Sequence, residues 1–373
     1  MNAPSLYLHI PFCETKCPYC DFNSFALEGR DVESYLDALS REMDERGVPP
    51  DPPTIFIGGG TPTVVSPTQL ERYLDDLVRR LRPGTAREFT VEANPGSFTA
   101  EKAAILAAHG VNRVSLGAQS FFARHLRTLG RVHDVEQIAE AVAHVRAAGI
   151  PRLNLDLIHA VPGLTLSEWS STLDAALALE PDHLSCYALI FEPGTEFFAR
   201  KAAGKMRQVP EELELGMFRW TERKLRRAGL LRYEVSNFAR PGQACLHNLG
   251  YWRNHPYAGF GAGAFSFLDG ERFGNERNLV RYADAVRATG GAVVSRERLT
   301  GRAAAGEEVM LAIRTAEGVD LGAIARRHGL DADREFGATV ERLREERLLE
   351  GAGRVRLARR GWRVADAVAA AFL

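Results

Sequence analysis

The stretch SLYLHIPFCETKCPYC (residues 5–20) joins a short apolar run to a loop that holds three cysteines. The run SLYLHI (5–10) has the length and apolar character of a buried strand. The loop places Cys13, Cys17 and Cys20 at C-x3-C-x2-C spacing. Three thiolates are one fewer than the four that complete a structural zinc site or a fully protein-ligated iron–sulfur cluster. The stretch therefore predicts a strand followed by a metal site with one position left open.

Two interpretations of the cysteine loop follow from the residues alone. Zinc would need a fourth ligand, such as His9 or the distant Cys186 or Cys245. A [4Fe–4S] cluster would instead leave one iron without a protein ligand, and that iron could bind a small molecule. The spacing within one loop favours the cluster.

Five more strand-like runs follow, and helical patterns separate them. Capping-box sequences at Ser66–Gln69 and Thr165–Glu168 predict the starts of two of these helices. Six strand–helix units in order predict an α/β fold with a parallel sheet, and six units are two fewer than a complete barrel. We therefore expect a partial (β/α)6 TIM-like barrel. The five runs are TIFIGGG (54–60), EFTVEAN (88–94), RVSLGAQS (113–120), RLNLDLI (152–158) and HLSCYAL (183–189).

Polar and glycine residues occur where these predicted strands end. They are Gly58 to Thr61, Glu92, Gln119 and Asp156. Chemistry in parallel α/β sheets gathers at the carboxyl ends of the strands. The sequence therefore predicts a functional site at this end of the barrel, beside the cysteine loop.

The rest of the chain differs from the repeating first part. We expect three domains: 1–195 as the barrel core, 196–295 as an extension that completes it, and 296–373 as a small C-terminal domain. The last segment has three predicted helices, a hairpin and a final helix, which resembles a winged-helix module. Residues 301–373 hold 13 Arg against 12 Asp plus Glu. Because phosphate contacts dominate nucleic-acid affinity, this balance favours a packing or partner-binding domain and no nucleic-acid partner.

Charge and cysteine use indicate the setting of the protein. The formal net charge of the 373 residues is −1, which gives no sign of a nucleic-acid or anionic-membrane partner. No apolar run approaches the roughly 20 residues of a membrane span, and the N-terminus lacks the pattern of a secretory signal. Five cysteines, three of them clustered, disfavour a disulfide framework. We expect a cytoplasmic location.

The C-x3-C-x2-C loop after the first strand of a partial barrel resembles the radical S-adenosylmethionine (SAM) superfamily. The resemblance implies a [4Fe–4S] cluster whose open iron is chelated by SAM, and an electron from the cluster that cleaves SAM to a radical. It also implies SAM contacts in the motifs YLHIPFC, CPYC, GGGTP, VEANPG, SLGAQS, LGRVH, NLDLI and CYALI. The implied contacts are Tyr7, Tyr19, Gly59, Gly60, Thr61, Glu92, Gln119, Arg131, Asp156 and Ala188. The chain departs from the family pattern at Ala118, His159 and Ala160.

Within the superfamily, the chain is similar to the branch that contains oxygen-independent coproporphyrinogen III oxidase, and within that branch to the HemW haem chaperones. Phe22 stands where the oxidase motif continues to a fourth cysteine. The cysteine loop begins at residue 13, which leaves no room for the N-terminal extension of the oxidase. The segment HNLGYW (247–252) matches the HNxxYW motif that is typical of HemW.

The HNxxYW motif has two interpretations. His247 could be an axial ligand of haem iron, with Tyr251 and Trp252 beside the porphyrin. The alternative is a core histidine that is hydrogen-bonded beside packed aromatic rings. Cys245 and His255 are further candidates for the iron ligand.

The resemblance implies a protein that binds haem and transfers it to acceptors while it carries the cluster and an exchangeable SAM. No side chain is assigned a catalytic role. The implied partners are haem, haem-accepting proteins, an electron donor such as flavodoxin or ferredoxin, and membrane haemoproteins approached from the membrane surface. The alternative function is the oxidase, which decarboxylates the propionates of coproporphyrinogen III by radical chemistry.

Overall fold

A computed structural model describes residues 3–82, 84 and 86–373. The strands are β1 (Ser5–Ile10), β2 (Phe12–Cys13), β3 (Phe25–Ala26), β4 (Thr54–Gly59), β5 (Glu88–Ala93), β6 (Arg113–Gln119), β7 (Arg152–His159), β8 (His183–Ala188), β9 (Leu231–Arg232), β10 (Asn237–Ala239), β11 (Tyr257–Phe260), β12 (Phe265–Leu268), β13 (Glu271–Asn275), β14 (Val293–Glu297), β15 (Leu349–Glu350) and β16 (Arg356–Leu357).

The helices alternate with the strands in the first half of the chain. They are α1 (Val32–Arg46), α2 (Pro67–Val78), α3 (Ala100–Ala108), α4 (Ala123–Thr128), α5 (Val135–Ala147), α6 (Leu166–Ala178), α7 (Glu196–Ala202), α8 (Glu211–Arg227), α9 (Leu246–Trp252), α10 (Leu279–Thr289), α11 (Gly301–Ala312), α12 (Leu321–Arg327), α13 (Ala338–Glu345) and α14 (Ala365–Ala370). Among the described residues, none of these helices is long and apolar enough to cross a membrane.

The strands β1, β4, β5, β6, β7 and β8 are parallel neighbours in that order, as the sequence predicts. The sheet order is β14-β13-β12-β11-β1-β4-β5-β6-β7-β8-β10-β9, so its two edges do not pair and the barrel stays open. The expected partial (β/α)6 barrel is confirmed. Beyond that expectation, β11 adds a further parallel strand beside β1, and β10 pairs antiparallel with β8.

Local sequence signals explain why these elements form where they do. All seven residues of β6 are buried, as is usual for a strand that is covered on both faces of a parallel sheet. The capping boxes at Ser66 and Thr165 are both formed, and a third, at Asp134, begins α5. Each box satisfies amide groups that a helix start would otherwise leave unpaired.

Buried apolar side chains form two clusters. The larger cluster runs from Leu6 to Ala292 and fills the barrel and the spaces under its helices. The smaller runs from Ala305 to Phe372 and lies among α11 to α14 and the hairpin β15–β16. The C-terminal segment is therefore helical with one hairpin, as expected. The three-domain division at 195/196 and 295/296 stays a prediction.

Candidate functional site

The cysteine loop lies at the carboxyl end of β1. Cys13, Cys17 and Cys20 are free thiols and are only partly exposed. The loop turns back on itself through a hydrogen bond from the Cys20 amide to the Cys17 carbonyl (3.1 Å), and the Leu27 amide then donates to the Cys13 carbonyl (2.8 Å). Burial raises the pKa of Cys13 and of Cys20, and hydroxyl groups of Thr61 and Ser24 respectively oppose these shifts. The thiols are thus held on one ordered loop.

The side chains that zinc would need are occupied elsewhere. His9 uses both ring nitrogens, one with the Tyr7 hydroxyl (2.9 Å) and one with the Asn23 carbonyl (2.8 Å). Cys186 is buried within β8, and the Cys245 thiol donates to the Glu88 carboxylate (3.3 Å). Within the described ranges, no three His, Cys, Asp or Glu side chains converge as ligands of one metal ion. The chemistry of this donor set is that of three thiolates without a fourth protein ligand, which fits a [4Fe–4S] cluster with one open iron.

The GGGTP segment packs directly against the cysteine loop. The Gly60 amide donates to the Ile10 carbonyl (2.9 Å), and the Thr61 amide donates to the Phe12 carbonyl (2.6 Å). A Cβ atom at Gly60 would lie 2.5 Å from the Phe12 carbonyl oxygen, and one at Gly59 would lie 2.4 Å from the His9 ring. The sequence suggested that these glycines let the backbone approach a ligand. In the structure they let it approach the chain's own β1 and cysteine loop.

The same segment also reaches a cysteine and a carboxylate. The Thr61 hydroxyl donates to Cys13 Sγ (3.7 Å), and the Gly59 amide donates to Glu92 Oε2 (3.1 Å). Burial and the nearby Asp156 carboxylate raise the pKa of Glu92 to about 7. Glu92 is therefore a carboxyl group that exchanges its proton near neutral pH.

Asp156 is held in place by two inward-facing polar side chains. Ser115 Oγ donates to one carboxylate oxygen (3.0 Å), and Asn154 Nδ2 donates to the other (2.8 Å). Asp156 and Glu92 both line a cavity of about 140 Å³ inside the barrel, and Tyr7 lies on its wall. Three of the predicted SAM contacts therefore share this cavity.

The other predicted SAM contacts lie around the cysteine loop or at strand ends. Arg131 Nη1 donates to Cys17 Sγ (3.4 Å). The Tyr19 ring lies 6.1 Å from that of Phe197, in a half-buried position. Gln119 ends β6 with φ of 63°, a left-handed conformation that residues other than glycine seldom adopt. Ala188 ends β8 opposite His159 of β7.

His247 lies at the opposite end of the barrel from the cysteine loop. It is the second residue of α9, whose first amides are capped by Glu88 from the start of β5, and its ring stacks on Phe56 at 5.2 Å between centroids. Nδ1 contacts the Thr54 hydroxyl (2.8 Å), and Nε2 contacts the Tyr251 hydroxyl (2.9 Å). Because Thr54 already donates to Ser5, the histidine Nδ1–H donates to Thr54 and Nε2 accepts from Tyr251.

In this geometry both ring nitrogens of His247 are engaged in hydrogen bonds, and burial, followed by the charge of Arg113, lowers the pKa of His247 to about 3. These contacts favour the core-histidine interpretation, and the assignment of His247 as the haem ligand stays a prediction. His247, Asn248 and Tyr251 form part of the cavity lining, so the motif closes the amino end of the barrel. Of the two further candidates, Cys245 is buried and His255 is exposed.

Comparisons with known proteins agree with these features. The family model of the Radical SAM superfamily matches residues 7–176, and that of the HemN C-terminal domain matches residues 299–364. The chain is 37% identical to "Heme chaperone HemW" of Bacillus subtilis (strain 168), over 99% of each chain. The chain belongs to the HemW family of radical SAM proteins. A HemW of Escherichia coli (strain K12) is 40% identical over 71% of each chain.

A solved structure shows that the fold is shared more widely than the HemW family. The coproporphyrinogen III oxidase HemN of Escherichia coli superposes with a TM-score of 0.87 over 99% of this chain and 90% of the oxidase, at 24% identity. At that identity the likeness establishes the fold alone. The HemN-type C-terminal match also agrees with the separate cluster of buried side chains in residues 305–372.

Several residues at the HemW site were not found from the sequence. Ser115, Asn154 and His183 join Asp156 in one hydrogen-bonded network inside the barrel. The signal for them was present: polar residues two positions apart in a strand face the same side. Asn154 and Asp156 in β7 have this spacing, as do Arg113 and Ser115 in β6.

Proposed function

We propose that this chain is a haem chaperone, which binds haem and transfers it to acceptor proteins while it carries a [4Fe–4S] cluster and an exchangeable SAM. The observation that carries the proposal is the 37% identity to a HemW chaperone over 99% of both chains. Such coverage includes the cysteine loop, the barrel cavity and the HNxxYW motif together. No side chain is assigned a catalytic role.

We assign Cys13, Cys17 and Cys20 as the cluster ligands. Their support is a single ordered loop of three partly exposed thiols, with a hydroxyl of Thr61 and the guanidinium of Arg131 directed at two of the sulfurs. When bound, the cluster supplies one electron and an open iron for SAM, and the protein holds these groups and excludes water. A cationic guanidinium and a hydroxyl are suited to stabilise thiolates.

The SAM shell is proposed around the cavity and the cysteine loop. Glu92 and Asp156 offer carboxylates to an ammonium or ribose group from the cavity wall. Because the pKa of Glu92 is about 7, this carboxyl group ionises readily when a cationic ligand binds beside it. The complete proposed shell is Tyr7, Tyr19, Gly59, Gly60, Thr61, Glu92, Gln119, Arg131, Asp156 and Ala188.

Haem is proposed to bind outside the barrel cavity. Glu92 and Asp156 on the cavity wall are already proposed to contact SAM, and residues of the HNxxYW motif line the far end of the same cavity. Haem that binds together with SAM would therefore need a separate surface. His255 is the exposed imidazole that follows the motif, and we take it as the first iron-ligand candidate to test.

The oxidase is the second candidate, because an enzyme of that kind shares the fold at a TM-score of 0.87. One feature weighs against it. Phe22, at the position of the oxidase's fourth motif cysteine, is 64% exposed and carries no ligand atom.

The proposed partners are haem-accepting proteins, including membrane haemoproteins approached from the membrane surface, and an electron donor such as flavodoxin or ferredoxin. Free clustered cysteines support a reducing, cytoplasmic location.

The deciding experiment offers both ligands to the reconstituted protein. We expect about one haem per chain by absorbance titration, and no protoporphyrinogen IX from coproporphyrinogen III with SAM and a reductant. Formation of vinyl groups in the oxidase assay, or no haem uptake by protein with a full cluster, would overturn the proposal.

A further inference from the structure

The guanidinium of Arg131, a half-buried residue, lies directly against the cysteine loop. Arg131 Nη1 donates to Cys17 Sγ (3.4 Å), and Nη2 donates to the Gly117 carbonyl (3.1 Å). The remaining nitrogen, Nε, is buried and has no acceptor among the residues that the structure describes.

A permanent positive charge in this position needs a negative partner. Arginine cannot release its proton in a protein, and an uncompensated buried charge is costly. Neutral thiols would supply little compensation, whereas thiolates that hold a cluster would supply it. The oxidised [4Fe–4S] unit with three thiolates has a net charge of about −1, and one-electron reduction makes it about −2. The guanidinium therefore gains more attraction in the reduced state.

Two glycines allow Arg131 to approach the cysteine loop, because a side chain at either position would occupy the space of the contact. Gly130 has φ of +66°, and a Cβ atom there would lie 2.5 Å from Pro18 Cδ, so the turn before Arg131 touches the cysteine loop. A Cβ atom at Gly117 would lie 3.1 Å from Arg131 Nη2. The Arg131 amide also donates to the Leu126 carbonyl (2.9 Å). The guanidinium is thus held at Cys17 before any ligand binds.

We propose that Arg131 is a positioning residue whose charge, held against Cys17 Sγ, raises the reduction potential of the cluster independently of any contact with SAM. The inference rests on the proposed cluster ligands. Hydrogen bonds and positive charge at the sulfurs favour the more negative, reduced state. Ease of reduction would then be built into the apoprotein loop and would not have to wait for SAM.

The test is a redox titration of the reconstituted full-length chain without SAM, followed by electron paramagnetic resonance. We expect Arg131→Met to lower the ratio of reduced to oxidised cluster about tenfold at a fixed potential, which equals a shift of about −59 mV for one electron. Arg131→Lys keeps the charge and should retain most of the wild-type ratio. The matched control is Arg127→Met, which removes the same charge from an exposed position on α4 and should change nothing.

The outcomes separate tuning from SAM binding. If Arg131→Met holds a full cluster whose reduction potential equals that of the wild type, the proposal fails. If that variant has also lost its spectral response to SAM, Arg131 acts only as a SAM contact. Should Arg131→Met fail to assemble a cluster, Arg131→Gln decides, because it keeps an N–H donor and loses the charge. An unchanged potential in Arg131→Gln would overturn the proposal. Wild-type protein that holds no cluster would instead refute the proposed function itself.

Discussion

The placement of His247 leads to a prediction that separates a structural role from a haem-ligand role. In the change His247→Ala, the ring that stacks on Phe56 is lost, and the hydroxyls of Thr54 and Tyr251 lose a partner. Replacing a large buried ring by alanine costs about 3–5 kcal/mol, and each buried polar group left unpaired costs about 1–3 kcal/mol. Because Tyr251 lines the adjacent cavity, water can replace the lost partner of its hydroxyl, so only the ring and the Thr54 hydroxyl add to the cost and we expect about 4 kcal/mol.

The assay measures stability and haem binding on the same protein. The midpoint of urea unfolding should fall in His247→Ala, while the Soret band and the haem stoichiometry of the folded protein stay as in the wild type. The matched control His255→Ala alters an exposed imidazole, so its stability should change by less than about 0.5 kcal/mol. A normal midpoint combined with a shifted Soret band in His247→Ala would refute the structural role. A shifted band in His255→Ala would instead identify the iron ligand.

Three further predictions concern the cysteine loop and the cavity. Cys13→Ala, Cys17→Ala and Cys20→Ala should each abolish the brown chromophore of the reconstituted protein, whereas Cys186→Ala should keep it; a normal cluster in any of the first three would remove that cysteine from the ligand set. Asp156→Ala should weaken the spectral response to SAM with iron content unchanged, and a full response would exclude that carboxylate from the SAM shell. Because the folded-state pKa of Glu92 is about 7, above its ordinary value, its contribution to the stability of the apoprotein is present at low pH and is lost as pH rises through about 7. Glu92→Gln should therefore flatten the stability profile between about pH 4.5 and 7, and an unaltered profile would show that Glu92 is not buried as described.

Local patterns were enough to predict the repeating half of the fold. Each of the six expected strands lies within one residue of its observed end, because buried parallel strands are nearly continuous apolar runs bounded by helix-start signals. The strand β11 was missed because its sequence, YAGF, is short and contains glycine. Its assignment depends on pairing Tyr257 with Ser5, which is far away in sequence. Pairing over that distance leaves no periodic signal in either segment.

The candidate site divides in the same way between local and distant causes. The shared loop of the three cysteines could be predicted from their spacing in the sequence, and their assignment as cluster ligands stays a prediction. The contacts of His247 could not be predicted, because the letters H-N-x-x-Y-W fit both an iron ligand and a core histidine, and its partners Thr54 and Phe56 lie on β4, far away in sequence. Gly59 and Gly60 are similar: the absence of a side chain shows that something approaches closely, but not whether it is a ligand or the chain itself.

The two ends of the barrel differ in whether their side chains are free to bind a ligand. At the carboxyl ends of the strands, partly exposed thiols, Thr61 and Arg131 leave sulfur atoms open to a cluster and its ligand. At the amino ends, the Glu88 carboxylate accepts from the first two amides of α9, and the His247 ring contacts Thr54 of β4, so the start of α9 is held against the sheet. A residue that ligates haem iron needs a nitrogen or sulfur lone pair that is not already in a hydrogen bond. Both ring nitrogens of His247 are hydrogen-bonded. Under the proposed function, we therefore expect haem exchange to use a side chain other than His247, which the comparison of His247→Ala with His255→Ala tests.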